Sequence, residues 1–432
     1  MKLIIVLILF PIVSLAWQTT IWHWREKAGG FLSNPYRQSR VPQFILDARH
    51  PWIIENQNKL ESLPDAEAYL CFSSREAKTG IMGDKLSEGE NGLEIPSDLF
   101  DYLEIDNSRW GVDRPGWPNA LIRAQEILRC PAAVTQVKTF QASIYVYEGE
   151  YSNWILEPRQ PPREVPGLFA DLLGNMTSLE TLKWSIPPAY VHYFEERFFD
   201  RGLVLPSIKR LELGRLSHFL VQLGSNITVL EYRGGMTSRD DISGSEDPES
   251  LLIRATMFAP KLKRFAMRPS WGWTDLMVQE LVSGYMPGVE SLGLWGGMNA
   301  RYEFIANENS NGSAFKEILQ LLSSLQNLTH LDLPSASELG VGWDGGPFCG
   351  NAFEGPRGRE YQRQVYQEGV EAAERAAALV LDVLPHLTSF SVGSIQANIT
   401  RYENGTLRAC FPWSGRMDEW VGDVLPPRDV WP

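Results

Sequence analysis

The sequence predicts an α/β chain built as an irregular repeat solenoid, a horseshoe with a parallel sheet on its concave side and helices outside. Two patterns carry this expectation. A phrase of the form apolar-x-x-apolar-x-apolar returns eight times between residues 134 and 392. Ahead of most copies, apolar residues recur every three or four positions, the period of an amphipathic helix. Length agrees: 432 residues exceed one ordinary compact core and suit several domains or one elongated array.

The copies are VTQVKT from Val134, LETLKW from Leu179, IKRLEL from Ile208, ITVLEY from Ile227, LKRFAM from Leu262, VESLGL from Val289, LTHLDL from Leu328 and LTSFSV from Leu387. The last two apolar residues of a copy stand two apart, so both face one side of a strand and their neighbours face the other. Before LTHLDL, the residues Phe315, Ile318, Leu322 and Leu325 mark a helix, and Val365, Ala373, Ala377, Val380 and Leu384 mark another before LTSFSV. Shorter helical stretches begin at Leu168, Leu216 and Leu276. Proline or glycine separates helix from strand in APKLKRF and MPGVESL, where proline ends the helical ladder. One helix-break-strand unit buries little alone, so the units are expected to stack and share a core.

These phrases resemble the L-x-x-L-x-L core of leucine-rich repeat proteins. Their uneven spacing, with copies 45, 29, 19, 35, 27, 39 and 59 residues apart, resembles the degenerate repeats of fungal F-box and F-box-like proteins. The resemblance spans residues 131–394. It departs from the family in lacking the Asn that usually closes each phrase, and no F-box is recognisable in the first hundred residues. What it implies is an irregular leucine-rich-repeat-like solenoid. As an F-box-like protein the chain would be a substrate-recognition adaptor of a ubiquitin ligase.

Residues 1–16, MKLIIVLILFPIVSLA, place one Lys before an apolar run, with Ser14 and Ala16 at the −3 and −1 positions of a cleavage site. They read as a signal peptide, with the mature chain starting at Trp17. An N-terminal cap rich in Trp and Pro is then expected over 17–130, the solenoid over 131–394 and a C-terminal cap over 395–432. Secretion makes two other features readable. Cys71, Cys130, Cys349 and Cys410 form an even set that an oxidising compartment would pair, in one of three connectivities. Asn175, Asn226, Asn311, Asn327, Asn398 and Asn404 head Asn-x-Ser/Thr acceptors for glycans.

Composition excludes nucleic acid as a partner, because a net charge of −13 supplies no basic face for phosphates. The zinc-protease, serine-hydrolase and phosphate-loop phrases are missing. The acidic cluster Asp98, Asp101, Glu104 and Asp106 reads as a solvated face rather than a glycosidase pair. The glycine-rich run from Gly340 reads as an insertion after a strand. The outward positions of the strands would instead form a wall, including Lys138, Lys183, Arg210, Glu212, Glu231, Arg233, Arg264, Arg268, Trp295, His330, Asp332 and Ser391. Arg233, Arg264 and Arg268 would make a cationic stripe beside Trp295, with Trp271 and Trp273 in an adjoining loop; Arg and Trp often anchor interfaces. The expected function is that of a secreted binding protein, without cofactor or catalysis, that docks a protein or glycan on this wall. The ligase adaptor and a carbohydrate-active enzyme using the aromatics and a carboxylate pair remain the alternatives.

Overall fold

The computed structural model describes residues 41–63, 66–71, 93, 95–106, 116–146, 160–234, 247–270, 272–296, 312–342, 355–393 and 395–412. The expected signal peptide, Asn311, Trp271, Cys349 and most of the glycine-rich run lie outside them. The chain divides into two compact units, Met1–Leu70 and Cys71–Pro432.

The first unit contains α1, Gln43–Asp47, and α2, Pro51–Ser62. Pro51 opens α2 at a position whose N–H has no helical partner anyway, and the His50 ring accepts the Trp52 N–H at 3.2 Å as a cap. Ile53 and Leu60, two turns apart, form its buried stripe. Helix α3, Ala66–Cys71, leads into the second unit.

There, among the described residues, eleven strands make one open sheet in sequence order. They are β1 (Tyr102–Asp106), β2 (Thr139–Ser143), β3 (Thr181–Ser185), β4 (Arg210–Leu213), β5 (Val229–Arg233), β6 (Arg264–Arg268), β7 (Ser291–Leu294), β8 (His330–Leu333), β9 (Ser389–Val392), β10 (Ile395–Arg401) and β11 (Leu407–Cys410). Strands β1 to β9 run parallel, and β10 and β11 close the series as an antiparallel hairpin. Parallel neighbours need a crossover, and each carries helical structure. Between β1 and β2 lie α4 (Trp117–Leu128) and α5 (Pro131–Gln136), and α6 (Glu164–Asn175) leads to β3. A short 3-10 turn and α7 (Val191–Asp200) follow, and a 3-10 helix over Ser217–Leu223 precedes β5. Helices α8 (Pro248–Ala255), α9 (Asp275–Val282), α10 (Ser313–Leu322) and α11 (Gly355–Val383) complete the later crossovers.

The three apolar places of the phrase become three buried rows. Leu182, Leu211, Leu230, Phe265, Leu292, Leu331 and Phe390 sit opposite one another in register, and all are buried. Leu179, Ile208, Ile227, Leu262, Val289, Leu328 and Leu387, one turn of chain earlier, are buried too. The first copy shifts. Pro131 opens α5, which winds Val134 into helix, so β2 begins only at Thr139, opposite Thr181. The in-register phrase is therefore VKTFQA from Val137 rather than VTQVKT from Val134. The sheet also reaches beyond 131–394, taking in β1 before it and β11 after it.

The core is most aromatic behind β3. Trp184 meets Phe169, Phe194 and Phe198 edge-on, with ring centroids 5.4 to 5.6 Å apart, a favoured arrangement of ring quadrupoles. Cys71 and Cys130 form a disulfide with an S–S distance of 2.14 Å, joining the end of α3 to the start of α5 across 59 residues. Among the described residues Cys410 is not disulfide-bonded, and its Sγ lies 3.5 Å from the Thr400 hydroxyl.

Two of the Asn-x-Ser/Thr asparagines act as structural ties. Asn226 donates its amide to the Pro206 carbonyl at 2.7 Å, and Asn327 donates to Pro287 at 2.9 Å. Each Asn stands one residue before its phrase, and each Pro two residues before the neighbouring phrase. The same bond thus recurs between β4 and β5 and between β7 and β8. Asn327→Ala should lower unfolding stability by about 1 kcal/mol, the net worth of such a hydrogen bond, read as a lower urea midpoint at unchanged m-value. Asn404→Ala, which removes only the exposed bond that Asn404 Oδ1 accepts from the Thr406 N–H at 3.0 Å within the β10–β11 turn, should lower the midpoint less.

Candidate functional site

On the outward face the strands present two further in-register rows. The first holds Thr181, Arg210, Val229, Arg264, Ser291, His330 and Ser389, and the second Lys183, Glu212, Glu231, Ala266, Gly293, Asp332 and Ser391. Side chains of opposite sign interlock along them. Lys183 Nζ lies 3.4 Å from Glu212, Arg210 bridges Glu212 at 3.0 Å and Glu231 at 2.9 Å, and Arg264 Nη2 reaches Asp332 at 3.1 Å. Arg264 Nε stands 3.7 Å from Glu231, too far for a hydrogen bond, and is buried without another partner. Ser391 donates to the other Asp332 oxygen at 3.2 Å. Arg264 is therefore compensated by two acids rather than forming part of a cationic stripe.

Arg233 and Arg268 differ. They face each other in register at the strand ends, both exposed, and neither forms an ion pair among the described residues. The Arg233 guanidinium lies 5.7 Å from the centroid of the Trp295 ring, within cation-π range. Trp273 lies inside: it is 1% exposed, and its Nε1 donates to the Trp295 carbonyl at 3.1 Å. It offers no contact surface and instead holds the loop that carries Trp295. Lys138 precedes β2 and pairs with Asp101 at 2.8 Å, outside the two rows.

From β6 to β10 the outward face opens. Arg264, Ser291, His330, Asp332, Ser389, Ser391 and Gln396 surround a concavity of about 360 Å³. Phe390 and Gly393 complete its lining. At Gly293 a Cβ would come within 2.7 Å of the Ala266 Cβ and 3.2 Å of Trp295 Nε1, so a larger residue could not be accommodated without displacing its neighbours. His330 Nδ1 lies 2.7 Å from the Thr329 hydroxyl, which leaves Nε2 for the open side. Ser291, Ser389 and Gln396 escape the sequence-based wall. Extending the two-residue alternation one step back in VESLGL and LTSFSV would have found both serines, whereas Gln396 belongs to an antiparallel strand outside the phrases.

A second polar cluster is buried behind the sheet. Glu249, at the start of α8, accepts from Tyr232 Oη at 3.2 Å and from the Ser270 N–H and hydroxyl at 3.1 and 3.0 Å. Burial raises the Tyr232 pKa strongly, and the Glu249 charge adds to this. Burial also opposes ionisation of Glu249, but hydrogen bonds from Asp247 and Ser270 outweigh it and hold its pKa below the usual value. Burial, then the hydrogen bond and charge of Glu249, push Asp247 up to about 6. Below about pH 6 the pair therefore holds a proton on Asp247 while Glu249 stays ionised. Since Asp247 is open to water on its outer side, solvent screens part of the effect.

Among the described residues, no three His, Cys, Asp or Glu side chains come together to hold a metal ion, and no helix is long and apolar enough to cross a membrane. No protein-family model and no curated protein matches the chain.

The carboxyl pair makes stability depend on pH. Asp247, raised when folded, contributes stability that is complete below its unfolded pKa and is lost as pH rises through about 6. Glu249, lowered when folded, contributes above its unfolded pKa and loses that as pH falls through its folded one. The pair's contribution should peak near pH 4, between the unfolded values of an aspartate and a glutamate of about 3.9 and 4.3, and fall as pH rises toward about 6. Asp247→Asn, which imitates the protonated acid, should flatten the decline in thermal midpoint that the wild-type protein shows from pH 5 to 7.5.

Proposed function

We propose that the chain is a secreted, glycosylated, leucine-rich-repeat-like solenoid that binds a protein or glycan on the outward face of its sheet, with no cofactor. The observation that carries this reading is the change in that face at β6. Over β3 to β5 the outward side chains are engaged with one another. From β6 to β10 the face holds a polar concavity, and on the same face Arg233 and Arg268 stand exposed at the ends of β5 and β6, with Trp295 under the Arg233 guanidinium. Side chains that hold the fold together fill space, whereas a rigid hollow beside exposed Arg and an aromatic suits a ligand. The parallel strands are short and their outward positions are in register, so the hollow is preformed and binding orders little chain. The phrase series supports the repeat assignment, the leader supports secretion, and the Cys71–Cys130 bond suits an oxidising compartment.

Expression with the native leader in a secreting eukaryotic host should deliver protein that begins at Trp17 into the medium. Immobilised, it should retain specific ligands from a panel of extracellular proteins and glycans. The double variant Arg233→Glu, Arg268→Glu should bind the retained protein or charged ligands at least tenfold more weakly, about the loss of one interface anchor. Retention inside the cell without processing, or equal binding by both proteins, would refute the reading.

A further inference from the structure

We infer that the concavity over β6 to β10 takes one neutral, polyhydroxylated ring, either a free monosaccharide or the terminal residue of a glycan. The inference rests on the proposed binding role and names the ligand chemistry of that face. Charge decides first. One guanidinium, Arg264, meets two carboxylates, Asp332 at 3.1 Å and Glu231 at 3.7 Å, so the site has no surplus positive charge for a phosphate or carboxylate. An apolar ligand is excluded by desolvation, because it would strand the hydroxyls and imidazole that line the hollow.

What remains matches sugar hydroxyls group by group. A hydroxyl both donates and accepts, and so do the side chains of Ser291, Ser389 and Gln396. The Asp332 oxygens each accept one hydrogen bond already, from Arg264 and from Ser391, which fixes the carboxylate in place. Each keeps a further acceptor site for one of two vicinal hydroxyls, and the fixed geometry limits the ordering lost on binding. The open side of His330 supplies another polar contact. A volume of 360 Å³ lies at the small end of ligand pockets, the size of one sugar ring rather than a long chain. A glycan can enter by its terminal residue because the hollow opens outward from the sheet.

The test uses the secreted full-length protein. Glucose, mannose, galactose and N-acetylglucosamine are titrated calorimetrically, and arrayed oligosaccharides ending in the same sugars are probed in parallel. Inorganic phosphate and glucuronate serve as anionic probes. At least one neutral probe is expected to saturate the site; binding of the free sugar identifies a monosaccharide site, and binding of the arrayed form alone identifies a glycan terminus. Asp332→Asn should weaken that binding at least tenfold. Since this change also releases Arg264, the milder double variant Ser291→Ala, Ser389→Ala, which leaves the ion pairs intact, should weaken it as well while keeping the wild-type thermal midpoint. Absence of binding by every neutral probe at 20 mM, on the order of the weakest useful sugar affinities, overturns the inference. So does unchanged binding in both variants, or displacement of the sugar by phosphate. If a protein ligand is lost on Arg233→Glu, Arg268→Glu while no neutral sugar binds, the broader binding role stands and this inference alone falls.

Discussion

One residue ahead of each strand from β1 to β8, a single backbone carbonyl accepts two successive N–H groups from the next strand along. The Lys138 carbonyl takes Glu180 and Thr181 at 2.8 and 2.9 Å, Glu180 takes Lys209 and Arg210, and Lys263 takes Glu290 and Ser291. The same fork continues through Glu290 and Thr329 to β9. Because side chains alternate at a period of two, a one-residue slip would turn the buried Leu and Phe rows outward and the charged rows inward. The fork is thus the constraint on which both faces depend. Side chains reinforce it: the Thr228, Thr329 and Thr388 hydroxyls bond back to the carbonyl of the preceding strand, and Lys138, Lys209 and Lys263 pair with an acid on a neighbouring one.

Once register is set, the outward face follows from which residues stand side by side. Glu231, whose side chain is only 7% exposed, sits between the arginines of β4 and β6. A carboxylate so enclosed is costly unless compensated, so its value lies less in net stability than in fixing where both guanidiniums point. Arg264 is thereby held toward Asp332, across β7, where Ser291 is short enough to let it pass. The charged rows and the hollow are therefore one arrangement: the arginine that closes the ion-pair series is also the edge of the cavity.

Much of the sheet was legible because buried rows leave a direct trace in sequence. Seven of the eight phrases place their apolar residues where the structure buries them, and the helices before β8 and β9 follow the three-to-four spacing. The failures have local causes. Proline at 131 favours a helix start, so the first phrase moved by three residues. Strand β1 carries only Leu103 and Ile105 among acids, and the sequence reading assigned it to a solvated cluster. The hairpin β10–β11 pairs antiparallel and owes nothing to the repeat. At the candidate site, periodicity placed Arg264, His330, Asp332 and Ser391 outward, but it carries no information on pairing. Arg264 reads as a free cation until Glu231 on the adjacent strand and Asp332 two strands away are brought beside it. Trp273 reads as an exposed aromatic until the loop folds it beneath Trp295.

Strand alternation brings one glycan acceptor to the same place. Along β10, Ile395 and Ala397 are buried, while Gln396 and Asn398 are exposed and share the outward side. Two residues of extended chain separate them by about 7 Å. A glycan on Asn398 would therefore rise from the rim of the hollow that Gln396 lines, close enough for its first residues to shield the opening or lie within it. Asn404, in the turn beyond, stands further along the hairpin from Gln396. In the proposed secreted, glycosylated protein, modification and recognition would share one surface, so the state of Asn398 would set how much of the hollow an external ligand reaches. In the proposed sugar-binding protein, an unmodified Asn398 would leave the hollow open on the side of the exposed Gln396, whereas a modified one would make an incoming sugar compete with the protein's own.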